Sequence, residues 1–87
     1  MKTNFQMLKE LRNFKAANYG RYYADEVQYI RDVLQISSRS DVELQNLRDF
    51  TVLFFSAMKE KDMDTMDLMS GITGVIDAEK CKRGMEV

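Results

Sequence analysis

Asp62, Asp64 and Asp67 fall within six residues, and they are the first place to look for chemistry, because clustered carboxylates can hold a calcium ion. The segment lacks the glycine that turns a calcium-binding loop and the bidentate glutamate that closes it. A capped, solvated connection between helices accounts for these acids better. Cys81 is the second candidate, flanked by Lys80 and Lys82, whose charges favour a thiolate. On a helix, however, immediate neighbours do not face one another, and no imidazole is available to activate the thiol. The chain contains no histidine at all. That removes the Ser–His–Asp arrangement and most transition-metal sites. Gly71 and Gly74 have no adjacent lysine and no strand–loop–helix setting, so they do not form a phosphate cradle. The sequence therefore predicts no catalytic residue, no metal site and no cofactor, and it points away from an enzyme.

The elements that would carry any site are helical. There is no proline, and the only glycines are Gly20, Gly71, Gly74 and Gly84. No stretch alternates as a strand would. Eighty-seven residues make a single domain near the lower size limit for a self-sufficient core. The expectation is an all-α fold, a small compact bundle of three to four helices, with a tail that frays from about residue 82.

The segment 40–61 reads as the central helix. Ser40 and Glu43 have the spacing of a capping box, and Lys59 and Lys61 stand where cations suit the helix dipole. Leu44, Leu47, Phe50, Phe54 and Met58 recur at helical spacing. Val52, Leu53, Phe55 and Ala57 extend the apolar surface around most of the circumference, which predicts a helix surrounded by the others.

Thr3 and Gln6 form a second capping-box pair and predict a first helix from about Asn4 to Ala17, with Phe5, Met7, Leu8, Leu11 and Phe14 on its apolar side. Asn18, Tyr19 and Gly20 mark its stop. A second helix follows from about Arg21 or Tyr22 to Gln35, although one glycine is a weak enough break that the two could be continuous. A turn over 37–40 leads into the central helix. Asp62 or Asp64 then caps a last helix bearing Met66, Met69, Ile72, Val75 and Ile76, in which Ser70, Gly71 and Gly74 thin the surface for a close neighbour.

Charge is unevenly spread. Residues 1–21 carry five cations and one anion, net +4, and the remainder carries eight and thirteen, net −5. Cys81 alone permits no internal disulfide and suits a reducing compartment. Lys9, Glu10 and Arg12 interrupt any signal-like apolar run, and the run from Phe50 to Met58 is too short to span a bilayer. The expected location is the cytoplasm, without membrane attachment.

Three features offer binding surfaces. Methionines crowd the start of the last helix, with Met63, Met66 and Met69 placed to adapt to an irregular partner. Tyr19, Arg21 and Tyr22 are of the residue types that anchor interfaces. Ile30, Leu34, Ile36, Ser37 and Val42 follow a helix-turn-helix pattern, but Arg31 and Gln35 replace its small residue and turn glycine. The turn is also one residue too long, and Asp41 and Glu43 would meet phosphates with like charge.

The sequence thus predicts binding to another protein, as an inhibitor, adaptor or regulatory subunit. The size and charge suit an accessory protein of a phage or mobile element, and a homodimer would double so small a core. The alternative is a nucleic-acid-binding regulator using Lys9, Arg12 and Lys15, or a degenerate helix-turn-helix.

Overall fold

The computed structural model describes residues 2–17, 23–59 and 62–85, apart from the side chains of residues 15–17 and 23–25. Among the described residues four α-helices follow one another: α1 (Asn4–Ala17), α2 (Tyr23–Leu34), α3 (Asp41–Ser56) and α4 (Met63–Lys82). A 3₁₀ turn, Ile36–Ser38, joins α2 to α3. The fold is an all-α bundle, as the sequence predicts.

Three helices, α1, α3 and α4, start where their capping chemistry says they should. The Gln6 N–H donates to Thr3 Oγ1 at 3.1 Å, and the Thr3 N–H donates to Gln6 Oε1 at 2.8 Å. At α3, Glu43 N–H donates to Ser40 Oγ at 3.1 Å while Ser40 N–H donates to Glu43 Oε1 at 3.0 Å. Both are reciprocal boxes that satisfy donors the helix leaves unpaired. Asp62, rather than Asp64, caps α4 by accepting from the Thr65 N–H at 2.8 Å.

The ends are less uniform. The chain leaves α2 through Gln35, which adopts a left-handed φ of 52°. That is where a turn glycine is expected, so the conformation survives the absence of the residue type that suits it. α3 stops at Ser56, five residues short of the expected 61, because the chain must reverse before Asp62 can cap α4. α4 runs to Lys82 and closes on Gly84, whose φ is 78°. Met85 N–H donates to Lys80 O at 2.8 Å and Gly84 N–H to Cys81 O at 3.0 Å, a Schellman arrangement. Met85 then packs against the core, so the stretch that the sequence assigns to fraying is held through that residue.

The core draws on every helix: Leu8 and Leu11 from α1, Ile30 and Leu34 from α2, Leu44, Leu47 and Phe55 from α3, and Leu68, Ile72 and Ile76 from α4, with Ile36 from the turn. Burying one such side chain contributes about 1.5–3 kcal/mol before the entropy of ordering is counted. α3 and α4 run antiparallel, pinned by Lys80 Nζ donating to Gln45 Oε1 at 2.6 Å and by Arg48 on Asp77 at 2.8 and 3.3 Å. The Cβ position of Gly71 lies 3.3 Å from Ile30 Cδ1, so α2 does approach α4 closely there. At Gly74 nothing comes within 4 Å.

The organising helix is α4, which packs on α1, α2, α3 and the 3₁₀ turn. α3 is not surrounded. Val42 is 69% exposed and Leu53 68%, so its outer side faces solvent. The apolar residues that the sequence distributes around this helix are divided between the core and a surface.

Candidate protein-binding surfaces

The methionines separate along the first two turns of α4. Met63 is 79% exposed and Met66 46%, whereas Met69 is half-buried against the core. Met63 and Met66 are three residues apart, hence neighbours on the helix surface, with Met69 a further turn on. The arrangement is a flexible thioether patch standing on a packed base. Tyr19, Arg21 and Tyr22 lie outside the described residues, as does the side chain of Lys15. Lys9 and Arg12 are exposed on α1. Arg12 lies close enough to the start of α4 to contribute to holding the Asp62 carboxyl below its usual range, after the hydrogen bonds from Thr65.

A second apolar surface, which the sequence reading did not single out, crosses α1 and α3. The Phe5 ring meets the Phe54 ring edge-on, with centroids 5.8 Å apart, and Phe54 lies 6.3 Å from Phe50. Phe5 is 54% exposed, and Phe50 and Phe54 are half-buried. Leu53 follows Phe50 by three residues and belongs to the same surface. The sequence signal was present, since α3 carries more apolar positions than one buried stripe uses, but only packing shows which of them are left outside.

The charged groups are largely committed to structure. Arg83 is held at the junction of α4, α3 and the turn, donating to Glu79 at 2.9 Å, to Asp41 at 3.0 Å and to the Ile36 carbonyl at 3.1 Å. Glu79 is buried, and Arg83 above all holds its carboxyl below the ordinary value of 4.5. Its Oε1 accepts no hydrogen bond and relies on Arg31 Nη2 at 3.5 Å. Arg31 therefore ties α2 to α4 at the position where a helix-turn-helix places a small residue. Arg39 is part-buried and donates to Leu34 O at 2.6 Å and to Met7 Sδ at 3.3 Å, with burial lowering its pKa.

One open cleft of about 1070 Å³ lies between the start of α1, the end of α2 and the start of α3. Its charged walls are already engaged: Lys2 with Glu10, Asp32 with Gln28, and Glu43 with the α3 cap. Its two hydroxyls are engaged with backbone, Thr3 Oγ1 accepting from the Gln6 N–H and Ser38 Oγ donating to the Gln35 carbonyl, both at 3.1 Å. Cys81 is exposed and free of any disulfide. Among the described residues no group of three or more His, Cys, Asp or Glu could hold a metal ion, and no helix is long and apolar enough to cross a membrane.

No protein-family model matches the chain, and no curated protein or solved structure matches it either.

Proposed function

We propose that the chain is a non-enzymatic protein-binding module, an inhibitor, adaptor or regulatory subunit that docks on another protein in the cytoplasm and assembles as a homodimer. One observation carries the reading: Met63 and Met66 extend into solvent from the first turns of α4 although the core beneath them is closed. Exposed, adaptable thioethers add little to folding and suit recognition. Tyr19, Arg21 and Tyr22 belong to the same proposal as additional anchors, and Met69 serves as its packed base. A phage or mobile-element accessory role is compatible with so small a binding module.

The test is capture of a partner by the wild-type chain and by a Met63→Glu/Met66→Glu variant. Both positions are exposed enough that the substitutions should leave helical circular dichroism and melting unchanged. The expected result is at least about a tenfold loss of affinity, roughly 1.4 kcal/mol. Unchanged capture would remove the methionine surface from the proposal.

The nucleic-acid reading has one observation in its favour, the exposure of Lys9 and Arg12 three residues apart on α1. The start of α3 speaks against a groove-reading role, because Asp41 and Glu43 would oppose phosphates. Salt-sensitive retention on heparin, lost on changing Lys9, Arg12 and Lys15 to glutamate, would revive it.

A further inference from the structure

The α1–α3 surface is more than an apolar patch, because its two edges carry opposite charge. Asp49 and Leu53 are one turn apart on the exposed side of α3, and Leu53 neighbours Phe50. Phe50 leads to Phe54, and Phe54 to Phe5, through the ring contacts already described. From Phe5, Lys9 and Arg12 follow at four and seven residues along the same face of α1. Crossing the surface therefore passes from an acid, over leucine and phenylalanines, to two cations.

We propose that this face is where two copies of the chain pair, in an isologous contact. The inference rests on the dimer in the functional reading above and assigns it a surface. A two-fold axis lying in the interface reverses such a row on the partner. The Lys9 and Arg12 edge of each copy then meets the Asp49 edge of the other, while Leu53, Phe50, Phe54 and Phe5 cover their counterparts. The face complements itself in both polarity and charge. An anionic lipid surface would favour cations on both edges and would repel Asp49. A uniformly acidic partner would meet the same repulsion.

The molecular mass is measured over a concentration series by size exclusion with light scattering, for the wild type and three variants. The wild type is expected to reach twice 10.2 kDa. Leu53→Glu buries two carboxylates, one from each copy, only in a dimer, since Leu53 is 68% exposed in the single chain, and should weaken pairing at least about tenfold. Asp49→Lys alone, and Lys9→Glu with Arg12→Glu, should each weaken it. Combining Asp49→Lys with Lys9→Glu and Arg12→Glu should restore it, because the two edges exchange sign. Circular dichroism on every variant confirms that the helices persist, and the charge exchange decides the matter even if Leu53→Glu unfolds. A Leu53→Glu chain that pairs as tightly as wild type would overturn the proposal, leaving a dimer through another surface. Failure of the triple variant to recover would overturn it as well. A wild type that stays at 10.2 kDa throughout would sink both this face and the dimer, while capture through Met63 and Met66 would stand on its own test.

Discussion

Gly71 and Gly74 are both interior to α4, and replacing each with alanine separates propensity from packing. Alanine is favoured over glycine in a helix by about 0.8–1.0 kcal/mol, and the gain at a compatible site is about 0.4–1 kcal/mol. At Gly74 the added methyl meets nothing within 4 Å, so Gly74→Ala should keep that gain. For a domain of this size it corresponds to a rise of roughly 2–8 °C in the melting midpoint. At Gly71 the methyl would stand 3.3 Å from Ile30 Cδ1, inside the 3.5–4.0 Å optimum for carbon pairs. Ile30 is 1% exposed and has no solvent to retreat into. Overpacking of this kind costs about 1–3 kcal/mol, so Gly71→Ala should range from neutral to destabilising by about 2 kcal/mol. Valine lacks the Cδ1 atom, so Gly71→Ala made in an Ile30→Val background should recover most of the propensity gain. Urea unfolding followed by circular dichroism measures all five chains, the wild type, the three single variants and the double variant. If Gly71→Ala stabilised the Ile30 protein as much as Gly74→Ala does, α2 would not lie against Gly71 and the packing argument would fall.

Three further outcomes follow from the same geometry. Gln35→Gly should stabilise by up to about 1 kcal/mol, because a left-handed φ strains residues that carry a Cβ, and an unchanged or lower urea midpoint would contradict that. Leu47→Ala should cost about 2–5 kcal/mol, since Leu47 is fully buried, and a loss under 1 kcal/mol would mean that the α3 core face is misplaced. Glu79 is depressed below 4.5 in the folded chain, so its stabilisation is present above that pH and is lost as pH falls through the lower folded value. The stability gap between wild type and Glu79→Gln should therefore narrow below pH 4.5 in acid titrations, and a constant gap would show that the Arg83 pair adds nothing.

Local signals alone determined much of this protein. The Thr3–Gln6 and Ser40–Glu43 boxes are contacts within a single turn and placed two helix starts, and the acids Asp62 and Asp64 placed a third to within one turn, the structure choosing Asp62. The absence of proline, together with helical spacing of apolar residues, determined the all-α class. What depended on distant parts of the chain was not legible in the same way. α3 reads as a helix apolar on most sides, but a pattern of residues does not say which sides receive a neighbour. Leu53 and Val42 are left in solvent because α4, not α3, occupies the middle of the bundle. Gly71 and Gly74 look alike in sequence, and only the approach of Ile30 makes them different. Met63, Met66 and Met69 form one cluster along the chain, and the depth of the core beneath α4 divides them into exposed and packed. The pairing of Phe5 with Phe54 joins residues 49 positions apart, which no local periodicity could announce. Capping and helical periodicity act over three or four residues and are written in the chain, whereas the choice of buried face is made by which helices meet.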